Sequence, residues 1–327
     1  MTNHATQSAP LLSFVLPVFN EVGNISLLHE ELSQVTALRP DFEVEFIFIN
    51  DGSDDDSLDA LERLAQQDSR VTVIDFARNF GHQFAVTAGL DHARGDAVII
   101  MDTDLQDPPA VCLDLISAWE AGADVVYAQR TSRKDTVFKR VTADAFYRAL
   151  SRLSDVPIPR NTGDFRLMDR AVVDYVNTMR EPHRFLRGMV AYVGFTQVAV
   201  PFEREARHAG ATGYPLRKMV RFAADGLLGF SIAPLRLILA TGYTFSGLAF
   251  LGIVYAILMK FLAPQVTVDG WTFIVISILL MGGVQLIMLG IIGAYVGRIY
   301  STSQQRPLYV VRRLTAASSR AHRTERG

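Results

Sequence analysis

AVIIMDTDLQDPP, residues 97–109, passes in one step from an apolar run into a cluster of carboxylates. Ala97–Met101 is apolar throughout, as a strand buried on both faces of a sheet is. Asp102, Asp104 and Asp107 follow at once, and Pro108-Pro109 ends the strand and opens a helix, because proline is tolerated in a first helical turn. Two aspartates one residue apart on a loop leaving a strand suit a hard divalent cation. Mg²⁺ or Mn²⁺ takes oxygen ligands, typically one or two carboxylates with phosphate and water completing the set. Bridging phosphate oxygens, such a cation stabilises the negative charge they carry.

The same apolar signal recurs upstream and downstream. Leu12–Val18, Val44–Ile49, Val71–Phe76 and Val125–Ala128 read as further strands. Helical patterns separate them: Asn24–Val35, Ser57–Gln67, His82–Ala93 and Pro109–Ala121. Strands alternating with helices predict an α/β domain whose mostly parallel sheet is covered on both faces. Ligands of such sheets bind beyond the carboxyl ends of the strands. Pro17-Val18-Phe19-Asn20-Glu21 and Asn50-Asp51-Gly52-Ser53 stand at those ends, as the acidic loop does. Each alone reads equally well as a turn or a helix cap; three together at one edge of one sheet read as a site. From about Asp135 to Tyr192 the pattern is mainly helical, and Phe195–Phe202 predicts one more strand.

The 327 residues leave room for an appendage to this domain. A net charge of -2 gives no overall attraction to nucleic acid, and the single Cys112 allows no intrachain disulfide. The first ten residues are polar, so no signal peptide is expected. Leu237–Met259 and Trp271–Gly297 carry no charge, and each is long enough to cross a hydrocarbon core about 30 Å thick. Ahead of them, Pro215 opens a helix with Leu216, Met219, Val220, Ala223 and Leu227 on one face and Arg217, Lys218, Arg221 and Asp225 on the other, a pattern suited to the membrane interface. The connection 263–270 has no Lys or Arg, whereas Arg236, Arg298, Arg306, Arg312 and Arg313 flank the spans. The positive-inside bias therefore predicts a cytoplasmic domain, both termini cytoplasmic and the short loop outside. The basic tail Ser301–Gly327 is expected to be poorly ordered or to lie along anionic headgroups. Four regions result: a cytoplasmic domain over 1–212, an interfacial helix region over 213–235, a two-helix transmembrane hairpin over 236–297, and a cytoplasmic tail over 298–327.

The stretches PVFNE (17–21), NDGS (50–53), ARNFGHQ (77–83), MDTDLQDPP (101–109) and GDFRLMDR (163–170) together resemble the inverting glycosyltransferases of family 2 with a GT-A, Rossmann-like fold. Within them the chain is similar to the polyprenyl-phosphate glycosyltransferases: the bactoprenol glucosyltransferases, the undecaprenyl-phosphate aminoarabinose transferases and the dolichol-phosphate mannose synthases. The resemblance covers nearly the whole chain, and the two C-terminal spans fit the bactoprenol type. It implies transfer of a sugar from a nucleotide-sugar, UDP-glucose first, to undecaprenyl phosphate at a bacterial inner membrane, by a homo-oligomer (a tetramer in relatives). GDP-mannose or a modified UDP-pentose is the alternative donor; a non-catalytic scaffold or nucleotide sensor is the alternative class.

By the same resemblance Pro17, Glu21, Asp51 and Asp102 bind the nucleotide-sugar, and Asp102, Asp104 and Gln106 surround the metal and diphosphate. Asp164 matches the residue usually assigned as base. Arg130, Arg133 and Arg207 match arginines near the lipid phosphate or diphosphate, a task that the planar guanidinium fork suits. His82 reads as a cap or packing residue as readily as a sugar contact. One departure stands out: relatives often carry Lys in the loop Gly210–Tyr214, where this chain has Gly213. A processive synthase is disfavoured, because neither Trp119 nor Trp271 completes a Gln-x-x-Arg-Trp motif.

Overall fold

A computed structural model of the chain describes residues 9–131, 162–182, 184–203, 233–262 and 271–316. They fall into two units, one holding the sheet and the segment from Pro307 onward, the other holding two long helices.

In chain order the first unit contains β1 (Leu11–Val18), α1 (Ile25–Ala37), β2 (Glu43–Asn50), α2 (Ser57–Gln67), β3 (Val71–Phe76), α3 (His82–His92), β4 (Ala97–Ile100), α4 (Val111–Glu120) and β5 (Val125–Arg130). After these come β6 (Thr162–Asp169), α5 (Arg170–Thr178), α6 (Leu186–Val193) and β7 (Gln197–Phe202). α7 (Ala233–Leu262) and α8 (Trp271–Ser303) form the second unit, and β8 (Val311–Ala316) returns to the first.

The eight strands make one sheet in the order β7-β5-β6-β4-β1-β2-β3-β8. β4, β1, β2 and β3 run parallel, and β7 is parallel to β5. The central strands are apolar because both faces are covered: Phe14, Leu16, Phe46, Phe48 and Ile99 are fully buried. α1 supplies Ile25, Leu28 and Leu32 to this core, and α2 supplies Leu61 and Leu64, spacings that place each set on one helical face. α3 instead buries six consecutive residues, Ala85–Leu90, and packs on β1 and β2. Gly89 permits this approach, since a Cβ there would collide with the Val15 side chain. β1 lies between β4 and β2, so the connections leaving β1 and β4 diverge, and the carboxyl edge at such a switch point is where sheets of this kind bind ligands.

Two sequence expectations are corrected. Within the stretch expected to be mainly helical, Thr162–Asp169 is a strand, inserted antiparallel between β4 and β5. Its polar residues are buried alongside its apolar ones, which masks the alternation of an ordinary antiparallel strand. The C-terminal tail is not wholly irregular either. Val311–Ala316 pairs antiparallel with β3 at the sheet edge. The Tyr309 ring stacks on Phe76 at 5.1 Å and its hydroxyl donates to Asp91 at 2.7 Å. Basic composition suggests a solvated tail; Arg313 instead pairs with Glu62 at 2.5 Å.

In the second unit, Leu280–Ser303 of α8 is long and apolar enough to cross a membrane, and the apolar stretch Ile238–Gly252 of α7 is shorter. The helices extend beyond the uncharged stretches read from sequence, from Ala233 to Leu262 and from Trp271 to Ser303. The interfacial helix expected over 213–235 lies almost wholly outside the described residues.

Candidate active site

Three strand ends build one hydrogen-bonded floor. Asn20, at φ +55°, donates its backbone N–H to Ser53 Oγ (3.1 Å), and its Oδ1 accepts from the Asp54 N–H (2.8 Å). Glu21 donates its N–H to Ser57 Oγ at 3.1 Å, and its carboxylate accepts from Asn24 Nδ2 at 2.5 Å. The loops after β1 and β2 are thus tied into one piece. The Pro17 carbonyl accepts from Thr103 Oγ1 at 2.9 Å, joining the acidic loop to them.

Asp51 is 4% exposed and accepts from the backbone N–H groups of Phe80 (2.7 Å) and Gly81 (2.9 Å). It anchors the loop between β3 and α3. Burial pushes its pKa up, against the pull of those two amides. Gly52, at φ +65°, permits the close crossing of the loops after β2 and β3: a Cβ there would meet Arg78 C and Asn79 N at 2.5 Å.

Asp102 and Asp104 are partly exposed on the loop after β4, where Asp104 Oδ1 accepts from the Gln106 N–H at 3.2 Å. Among the described residues no three His, Cys, Asp or Glu side chains converge as a metal-binding set. By donor chemistry, two carboxylates and an amide oxygen are ligand types that a hard divalent cation accepts when phosphate and water complete its set.

β6 carries the second half of the site. Its antiparallel register sets Arg166 opposite Ile100, so two residues further on Asp164 falls beside Asp102. Asp164 is 8% exposed and accepts three donors: Arg187 Nε at 2.9 Å, Gln83 Nε2 at 3.1 Å and His82 Nε2 at 3.1 Å. His82 Nε2 also stands 3.6 Å from Asp102 Oδ1, so one imidazole spans the two carboxylates. Gln83 reaches the other way as well, its Oε1 accepting from the Leu186 N–H at 3.0 Å at the start of α6. Arg166, buried beneath, turns its guanidinium to the carbonyls of Gly163 (3.1 Å) and Asp164 (3.4 Å).

The charges follow from these contacts. Burial opposes ionisation of Asp164, yet Arg187 beside it, the His82 hydrogen bond and Arg166 hold its carboxyl well below the usual range. Desolvation likewise opposes the His82 cation, but the Asp164 hydrogen bond and the charges of Asp102 and Asp164 raise its pKa to about 9. Burial lowers the Arg166 pKa to about 10.

The structure thus gathers Pro17, Glu21, Asp51, Asp102, Asp104, Gln106 and Asp164 along one edge of the sheet. Arg130 ends β5 with Nη2 3.9 Å from Asp107 Oδ1, and a Cβ at Gly163 would meet that same nitrogen at 3.1 Å. Arg133 and Arg207 lie outside the described residues. Sequence reasoning missed Gln83 and Arg187. The available signal for Arg187 was a cation set inside the buried apolar run Phe185–Val190.

The glycosyl transferase family 2 model matches residues 13–176, which include the loops after β1, β2 and β4 and also Asp164. The chain belongs to glycosyl transferase family 2. An uncharacterized glycosyltransferase of Bacillus subtilis, YkcC, is 45% identical over 302 residues, covering 92% of this chain and 93% of the relative. The bactoprenol glucosyl transferase of Shigella phage SfV is 41% identical over 302 residues, 92% of this chain and 98% of its own. A prophage bactoprenol glucosyl transferase homolog of Escherichia coli K12 is 40% identical over 304 residues, 93% and 99% of the two chains. This family 2 member is a glycosyltransferase, and the matched segment includes Asp51, Asp102, Asp104 and Asp164 of the carboxyl edge.

Proposed function

We propose that this glycosyltransferase moves glucose from UDP-glucose to the phosphate of a polyprenyl lipid, undecaprenyl phosphate, giving a lipid-phosphate-linked monosaccharide. The observation that carries the reading is the convergence of Asp102 and Asp164 on His82 beside the nucleotide-side loops. The bactoprenol glucosyl transferase relatives, matched over nearly their whole lengths, support the acceptor and the sugar. The apolar side chains exposed around α7 and α8, among them Leu239, Phe250, Leu251, Ile278, Leu286 and Ile287, support insertion of both helices in a membrane. In this reading the sheet domain and both termini are cytoplasmic, at a bacterial inner membrane, and the enzyme is a homo-oligomer.

Asp51 still has lone pairs for a nucleobase N–H beyond its two backbone amides, and Pro17 and Glu21 line the nucleotide pocket. Asp102, Asp104 and Gln106 would hold Mg²⁺ or Mn²⁺, which would supply charge stabilisation to a departing diphosphate. The family resemblance assigns Arg130, Arg133 and Arg207 to phosphate. An acceptor phosphate oxygen attacks the anomeric carbon as the bond to the donor β-phosphate oxygen breaks, with inversion. A phosphate monoester with a second pKa near 6 is already largely dianionic at neutral pH, so no proton need be removed. Positioning and electrostatics then dominate catalysis. Membranes containing the protein, undecaprenyl phosphate and a panel of radiolabelled nucleotide-sugars are to be resolved by thin-layer chromatography. Label from UDP-glucose is expected in the lipid fraction. Label from GDP-mannose or a UDP-pentose alone reassigns the donor, and no lipid label from any sugar refutes the reading.

A further inference from the structure

We infer that Arg187 is a phosphate-binding residue on the acceptor side of the site, and that Asp164 is the carboxylate that holds it there. The inference rests on the lipid-phosphate acceptor proposed above and assigns it a residue no motif marked. Asp164 already receives Arg187 Nε, Gln83 Nε2 and His82 Nε2. A buried carboxylate engaged by three donors, two of them cationic, is built to orient those donors rather than to capture a proton. Of the cations around it, Arg166 is 5% exposed and turned back onto backbone carbonyls. Arg187, with a side chain 24% exposed, reaches the surface, as His82 does.

The strand order says which phosphate this cation serves. The nucleotide-side loops follow β1 and β2, the acidic loop follows β4, and Asp164 lies on β6, on the far side of β4 from β1. A donor with its base over β1 and β2 and its diphosphate at Asp102 and Asp104 directs its sugar toward β6. Arg187 therefore stands beyond the leaving group, where an incoming phosphate monoester must come within reach of the anomeric carbon. α6 is fixed there by the Gln83 bridge to the Leu186 N–H. Two dianionic groups approach each other in this reaction, and a guanidinium presenting donors to the acceptor offsets that repulsion.

The test measures KM for undecaprenyl phosphate and for UDP-glucose separately, in full-length Arg187→Gln, Arg187→Lys, Asp164→Asn and the Asp164→Asn/Arg187→Gln double variant. Removing a charge-assisted phosphate contact is expected to raise the acceptor KM about tenfold or more. The donor KM is expected to move by a smaller factor than the acceptor KM. The double variant is expected to lose little more than the worse single one, because Asp164 acts through Arg187, and the Asp164→Asn loss is flat in pH. Should Arg187→Gln not fold, as judged by thermal melting in detergent, Arg187→Lys keeps the charge and reports the same split between acceptor and donor. A raised donor KM with an unchanged acceptor KM, or additive losses in the double variant, overturns the inference while leaving the proposed reaction standing. A wild-type enzyme that glycosylates no polyprenyl phosphate sinks the functional reading and this inference with it.

Discussion

Replacing Gln83 by Glu changes one NH₂ group to an oxygen and turns the bridge between Asp164 and α6 into a pH-dependent one. Gln83 donates to Asp164 at 3.1 Å and accepts from the Leu186 N–H at 3.0 Å. The orientation is forced, since one neighbour can only accept and the other can only donate. A Glu side chain can keep both bonds only while protonated. Two carboxylates 3.1 Å apart repel by about 5 kcal/mol at an effective dielectric of about 20. The charges of Arg187 and His82 offset part of this, leaving roughly 3 kcal/mol and raising the pKa of the introduced carboxyl by about 2 units, to about 6–7. The sign follows from linkage. A folded-state pKa above the unfolded value of about 4.3 means that the native state binds the extra proton. The variant therefore matches the wild type near pH 4–5, loses stability as pH rises, and reaches its full deficit above about pH 7. Thermal melts in detergent with a chelator, from about pH 5 to pH 9, give the difference in Tm between Gln83→Glu and wild type. That difference is expected to widen with pH and then level off, and transferase activity at about pH 8 to fall with it. A gap constant across the range would show that Gln83 does not touch Asp164 as described.

Three further outcomes follow from other contacts. His82 has a pKa raised to about 9, so in metal-free protein its contribution to stability is complete below about pH 6.5 and fades as pH rises toward 9; His82→Phe should flatten that part of the Tm–pH curve. Gly52→Ala places a Cβ against Arg78 and Asn79 at a positive φ and should cost about 1–3 kcal/mol in denaturant unfolding while raising the nucleotide-sugar KM. Tyr309→Phe keeps the stack on Phe76 and loses the hydrogen bond to Asp91, a loss of about 1–2 kcal/mol by denaturant titration, whereas Tyr309→Ala should cost about 3 kcal/mol or more.

The parallel half of the sheet was legible because burial on both faces leaves uninterrupted apolar runs. Ser57–Gln67 and Val71–Phe76 have the bounds that their sequence pattern predicts, and the loops after β1, β2 and β4 stand at the carboxyl edge as expected. β6 and β8 were not legible, for different reasons. Thr162–Asp169 interleaves Asp164 and Arg166 with apolar residues, and only the long-range pairing with β4 and β5 reveals why they can be buried. Val311–Ala316 is an edge strand with two arginines, a composition that also describes a solvated tail. The Asp102–His82–Asp164 constellation joins segments far apart in the chain. Its members could be named from motifs, but their contact could not be.

The residues hardest to read are those that the fold bears at a cost. Asp164 and Arg166 occupy buried positions in a strand whose neighbours are apolar, and removing such charges from water costs several kcal/mol each unless paired. Pairing is complete here in a particular sense. Arg166 is satisfied by main-chain carbonyls of its own strand, which frees Asp164 to engage groups from α3 and α6. A strand built for stability alone would place apolar residues at both positions and lose nothing in packing. Keeping the ionised pair makes sense only if Asp164 must hold cations at the sheet edge beside Asp102, where the antiparallel register of β6 delivers it. The departure from local sequence rules in β6 and the location of the site therefore have one cause.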